Sequence, residues 1–247
     1  MSKPAKALVV GVSAKAGLGA ALCRKFAAEG LHVLAAGRSA DRLGELVQDI
    51  EAAGGQAQAV VMDTTVEADV TAAFDRAFED DAQSGPAGIV VYNAGNNARG
   101  DLGEMTNEFF EQVWRVTCLG GFMVAREATR RLRQIGRGTV IFTGATASLR
   151  SRPPFTAFAS GKAALRAVAQ SMARDMGPRG VHVAHVIVDG GINGERLRSV
   201  APQRAEELGG TGLLDPDAIA EVYWHLHMQH PTTWTFELDV RPSVESF

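Results

Sequence analysis

Gly11-Val12-Ser13-Ala14-Lys15-Ala16-Gly17-Leu18-Gly19, entered from the apolar run Ala7–Val12, is the stretch whose reading decides the fold. An apolar run, a glycine-rich turn and then helical spacing from about Gly17 make a strand–loop–helix unit. The glycines permit a tight turn and close approach of a pyrophosphate to the backbone. The helix N-terminus adds unpaired N–H groups and the positive end of its dipole. Gly11, Ser13, Lys15, Gly17, Leu18 and Gly19 are therefore the expected phosphate-side contacts of a dinucleotide. Glycines after a strand also serve simply as turn residues, so the place of the motif, after the first strand and before a helix, carries the reading.

Outward from this unit the pattern repeats. Apolar runs recur at His32–Ala36, Ala57–Met62, Gly88–Tyr92, Thr139–Thr143, His182–Val188 and Thr235–Val240. Helical spacing falls between them, at about Gly17–Glu29, Asp41–Ala53, Glu67–Asp81, Asn107–Leu132, Thr156–Met176 and Pro216–Met228. Short, strongly apolar strands alternating with helices predict an α/β fold: a parallel sheet of about seven strands covered on both faces. Right-handed crossovers make it a doubly wound, Rossmann-type sheet. At 247 residues, one such domain accounts for the chain, 1–247. The polar stretch from Arg196 to Thr211 has no strand pattern; a flexible substrate loop is expected over about 193–214.

Composition narrows the classes of function. A formal charge of −3 offers no field for nucleic acid or an anionic membrane. Arg126, Arg130, Arg131, Arg133 and Arg137 cluster toward the end of a predicted helix, where cations meet the dipole favourably, and no stacking aromatics are interleaved. Cys23 and Cys118 lack metal or CxxC spacing and read as small buried hydrophobes, which suits a reducing, cytoplasmic setting. The run after Lys3 and Lys6 is too short for a signal peptide, and no apolar stretch has the length of a membrane span. His225, His227 and His230, at offsets of two and five, do not converge as an i,i+4 zinc pair does, so no metal site is expected.

The second strand bears on the cofactor. It ends Ala35-Ala36-Gly37-Arg38-Ser39, with no carboxylate to accept hydrogen bonds from a ribose 2′-hydroxyl. A guanidinium at Arg38 suits a 2′-phosphate, which a carboxylate would repel, and Lys15 stands in the neighbouring loop. NADP(H) is therefore favoured over NAD(H). The alternative is that both cations are solvated loop residues.

Further motifs occur in order: Asp63-Thr64, Asn93-Ala94-Gly95, Phe142 to Ser148 followed by Phe158-Ala159-Ser160-Gly161-Lys162, and Asp189-Gly190-Gly191-Ile192. Together, over essentially the whole length, they resemble the short-chain dehydrogenase/reductase family. The resemblance implies an adenine-side contact at Asp63 and Thr64, and cofactor contacts at Asn93, Ala94, Gly95, Lys162 and the backbone of Ile192. The spacing of Gly11, Gly17 and Gly19 is longer than the usual GxxxGxG and is similar to that of the enoyl-reductase branch. A small-molecule substrate and a homodimer or homotetramer built partly on the two long helices are also implied.

The chain departs from the family in its chemistry. Phe158 stands at the position of the proton-donating Tyr, Ala145 at the Ser and Thr117 at the Asn, while Lys162 is retained. Phe155 occupies the Tyr position of the enoyl-reductase branch, and neither Tyr92 nor Tyr223 lies on this helix. Phe158 and Lys162 are i and i+4, so they share one helix face. General acid catalysis is worth ~10²–10⁴ in rate, and a phenyl ring cannot supply it. Asp189 is a candidate acid, or else caps a turn or orients a loop. Thr117 is a candidate for holding water, or else packs a helix. Thr146 and Ser148 flank the missing Ser, though strand alternation points Thr146 to the wrong face. Lys162 itself is a candidate to deliver a proton through water. The expected activity is NADP(H)-dependent hydride transfer to an iminium, imine or enone, or to a carbonyl without the phenol. The alternative is a nucleotide-binding regulatory protein that has lost catalysis.

Overall fold

The computed structural model describes residues 3–245. Its seven strands are β1 (Ala5–Val10), β2 (His32–Gly37), β3 (Gln56–Val61), β4 (Gly85–Tyr92), β5 (Gly138–Ala145), β6 (Val181–Val188) and β7 (Glu237–Val240). They form one sheet in the order β3-β2-β1-β4-β5-β6-β7, parallel throughout. The order reverses beside β1. In such sheets that is where a crevice opens beyond the strand C-termini and ligands bind.

Alternation along the buried strands sends side chains into two cores. Ala7, Val9, Val33, Ile141, Ala184 and Val186 pack under α1 (Leu18–Ala28), α2 (Ala40–Ala52) and α9 (Pro216–His227). Leu8, Val90, Phe142 and Val183 pack on the other face, under α3 (Glu67–Phe78), α5 (Gly120–Ile135) and α6 (Thr156–Met176). Burial on both faces explains why these strands read as continuous apolar runs rather than alternating ones.

Three departures from the expected elements have local causes. β1 stops at Val10 because Gly11 turns to φ +101°, and the Gly11 and Val12 amides both donate to the Ala36 carbonyl. The expected helix from Asn107 to Leu132 is not continuous: α4 (Asn107–Trp114) passes through a π-turn, Arg115–Leu119, into α5. A π-turn frees carbonyls from the i−4 ladder, and the buried Tyr92 hydroxyl donates to the one at Val116. The segment expected as a loop carries α7 (Glu195–Val200) and α8 (Pro202–Leu208). It forms no named strand, in keeping with the absence of a strand pattern, but it is largely helical.

The arginine cluster is also organised differently from the expectation. Glu127 is buried among Arg126, Arg130 and Arg131 and pairs with all three, so these guanidinia answer a buried carboxylate as well as the helix dipole. Arg133 pairs with Asp175 on α6. No helix among the described residues is long and apolar enough to cross a membrane.

Candidate active site

The glycine-rich loop is fixed by its carbonyls. The Gly11 carbonyl accepts from Asn93 Nδ2 at 3.1 Å, Ser13 from Arg42 at 3.0 Å, Lys15 from Arg24 at 3.0 Å and Ala16 from the Glu195 amide at 3.0 Å. Gly17 caps α1 without a side-chain oxygen, so the first-turn amides have no capping partner. A Cβ at Gly11 would stand 2.4 Å from the Ala94 amide nitrogen, which makes the close approach of the Asn93-Ala94-Gly95 segment dependent on glycine. These features fit a pyrophosphate: acceptors engaged by the protein, donors available. Lys15 is turned aside, its ammonium 2.6 Å from Asp49 on α2.

Arg38 is exposed at the end of β2. Asp63 accepts from the Thr65 amide at 2.8 Å and from its hydroxyl at 2.7 Å. The Thr65 amide chiefly, with the hydroxyl and the positive charge of Arg38, holds the Asp63 carboxyl below the usual carboxylate range. Thr64 is buried beside Gly120. Arg38 and Asp63 thus flank the same crevice. Arg42, which the sequence reading passed over, braces the loop at Ser13 and also meets Glu195 of α7 at 3.3 Å.

At the other end of the crevice, Lys162 is 4% exposed and donates to the Thr143 carbonyl at 2.6 Å. Burial depresses its pKa from 10.5 to about 8. The Phe158 ring centroid lies 5.8 Å from Nζ, so the two share one helix face. Gly95 borders the same ammonium; a Cβ there would be 3.4 Å from it. Ala145, half-buried at the end of β5, brings no hydroxyl. Thr117 lies in the π-turn and packs on Gly161, and its buried Oγ1 has no partner among the described residues. Ile192 is pinned by a bridge to Leu214, and the chain after it returns to the loop, where the Glu195 amide meets Ala16. Arg196 of α7 donates to Asn97.

Asp189 is buried at the end of β6. Its buried carboxylate accepts from the Thr146 hydroxyl and pairs with Arg150 at 3.3 Å and Arg241 at 3.2 Å. Thr146 reaches it because β5 ends at Ala145 and a 3₁₀ turn over Thr146–Ser148 breaks the alternation expected to point it away. Ser148 accepts from the Ala145 amide at 3.1 Å. Neither tyrosine is near solvent. Tyr92 bonds to Val116, and the Tyr223 hydroxyl lies 2.8 Å from Thr143 Oγ1 on the opposite face of the sheet from Lys162. His227 bonds to Thr139 at 2.9 Å, and His230 to its neighbour Thr232.

The family pattern described as short chain dehydrogenase matches residues 5–205. The chain belongs to the short chain dehydrogenase family. A solved short-chain dehydrogenase from Rhodopseudomonas palustris is 39% identical, superposes with a TM-score of 0.81, and the match covers 96% of this chain and 98% of that one. Versicolorin reductase 1 of Dothistroma septosporum is 31% identical over 75% of this chain and 69% of its own length. The uncharacterised oxidoreductase YuxG of Bacillus subtilis is 33% identical over 84% of this chain, which spans 30% of that protein. As a short-chain dehydrogenase the chain is a member of an oxidoreductase family that binds NAD(P).

Proposed function

We propose that this short-chain dehydrogenase is an NADP(H)-dependent reductase for substrates whose acceptor carbon is already activated, namely iminium ions, imines or enones. The carrying observation is the pairing of a buried Lys162 ammonium with the Phe158 ring, where a phenol would otherwise stand, together with Ala145 at the end of β5 in place of a serine. When bound, the dinucleotide supplies hydride.

The first-turn amides of α1 would hold its pyrophosphate, Arg38 its 2′-phosphate, Asp63 its adenine, and Lys162 its nicotinamide-side ribose. Phe158 makes an apolar wall that admits no proton. Lys162, poised near 8, is charged at neutral pH yet acidic enough to yield a proton. For an enone its charge stabilises the developing enolate oxygen, and an iminium already carries the charge that protonation would confer. Asp189, tied to Arg150 and Arg241, orients the chain between β6 and Ile192. Assembly into a homodimer or homotetramer through α5 and α6 belongs to the same reading. Phe122 and Ile135 stand exposed on α5.

The test is NADPH oxidation by purified protein across matched panels of iminium ions, enones and unactivated ketones. The expected result is turnover on the first two, with ketones slower by ~10² or more. Ketone turnover at the same rate, or none on any panel, overturns the proposal.

A further inference from the structure

β6 carries a histidine that the chemistry above does not use. His185 is fully buried on the α6 face of the sheet, and its Nδ1 lies 2.9 Å from Glu237 Oε2 on β7. Arg166 of α6 grips the same carboxylate through two bonds, of 2.6 and 2.7 Å. Glu237 is thereby held ionised, chiefly by Arg166, below the usual carboxylate range. A carboxylate can only accept, so Nδ1 carries the ring proton and Nε2 presents a lone pair. Burial, opposed in part by Glu237, pushes the imidazole to about 4, which keeps it neutral near pH 7.

That lone pair has no hydrogen-bond partner among the described residues. It is aimed at Gly144: a Cβ there would stand 2.4 Å from Nε2, so the glycine is what makes room for the ring. The Lys162 ammonium donates to the carbonyl of Thr143, the residue immediately before. The lysine and the imidazole therefore end on one peptide unit, approached from the same face. Three charged groups face the ring: Lys162 and Arg166 from α6, and Glu237 from β7. A buried acceptor without a donor is costly, and Lys162 has two further N–H donors.

We propose that Glu237 and His185 act as positioning residues for Lys162. The oriented Nε2 accepts from the ammonium through one bridging water and so holds Lys162 in its protonated form beneath the nicotinamide site. The proposal rests on the reading of Lys162 as the proton-bearing group, but it concerns a property of the protein that needs no turnover. A hydrogen bond to the charged form of an acid favours that form. Without the imidazole the lysine must lose its proton more readily.

The experiment is ¹³C NMR titration of the folded, ligand-free protein labelled at lysine Cε. The chain has only five lysines, and Lys162→Met assigns the resonance. In His185→Phe the Lys162 midpoint is expected to fall by about one pH unit from its wild-type value. Gly144→Ala, which displaces the ring without removing it, should lower the midpoint in the same direction. Glu237→Gln, whose neutral amide can donate as well as accept and so no longer fixes the proton on Nδ1, keeps the test available if the phenylalanine variant does not fold, and should also lower it. An unchanged Lys162 midpoint in any of the three while folded overturns the proposal. Because no substrate is involved, a protein inactive on every panel would overturn the function proposed above without touching this result.

Discussion

Replacing Lys162 by methionine should make the ligand-free protein more stable at pH 7, although it removes a hydrogen bond. The ammonium is 4% exposed, and burial lowers its pKa from 10.5 to about 8. At about 1.4 kcal/mol per pH unit, carrying that charge inside costs the fold about 3 kcal/mol at neutral pH. Methionine matches the length of the stem and leaves the Thr143 carbonyl without its donor, a loss of about 1–2 kcal/mol. The net gain is about 1–2 kcal/mol, or a rise in Tm of about 2–8 °C for a chain of this size.

The sign of the pH dependence makes the test sharper. The folded pKa is depressed, so between about 8 and 10.5 the unfolded chain binds more protons at this group than the folded one. Wild-type stability therefore rises with pH through that window, is free of the charge penalty above 10.5, and carries the full penalty, with no further slope from this group, below 8. The methionine variant lacks this slope. Chemical denaturation of both proteins from pH 6 to 10.5 should show the variant ahead at pH 7 and the lead closing, then reversing, toward pH 10.5. A variant less stable at pH 7, or a gap that ignores pH, would refute the account of a strained buried ammonium.

Three further outcomes follow from the site. Gly11→Ala puts a Cβ at φ +101° and 2.4 Å from the Ala94 amide, so it should lower stability by at least ~2 kcal/mol and abolish NADPH binding in a fluorescence titration. Unaltered melting and affinity would contradict the loop geometry. Arg38→Glu should weaken NADPH binding about 10- to 100-fold by calorimetry while leaving NADH no worse. Equal loss for both would mean that Arg38 does not read the 2′-phosphate. Phe158→Tyr combined with Ala145→Ser should raise ketone reduction by ~10² or more, measured as kcat/KM. No gain despite tight NADPH binding would show that more than the donor separates this site from a ketone reductase.

Much of the fold was legible because its signals are local. Seven apolar runs became seven strands, since a sheet covered on both faces favours apolar side chains on both sides of its strands. The family motifs reported themselves for the same reason: Asn93-Ala94-Gly95 and Phe158 to Lys162 are contiguous or one helical turn apart. What escaped depends on distant partners. The π-turn at Arg115–Leu119 accompanies a hydroxyl from Tyr92, more than twenty residues earlier. Asp189 is occupied by Arg150 and Arg241, from two other segments, which periodicity cannot bring together. Lys15 was drawn toward Asp49 rather than the crevice, and Arg42 took up the bracing of Ser13, because an ion pair forms with whichever charge the packing of α2 brings near. The α7 and α8 segment lacks buried apolar periodicity, so its short helices left little trace in the sequence.

Hydride passing from a dinucleotide in this crevice to an activated carbon, without a phenol, is most directly tested with NADPH deuterated at the transferred position of the nicotinamide ring. Single-turnover incubation with the wild-type protein and an iminium or enone substrate, analysed by mass spectrometry, should place one deuterium on the product carbon. Product without deuterium, or no product while Phe158→Tyr with Ala145→Ser readily deuterates a ketone, would contradict it.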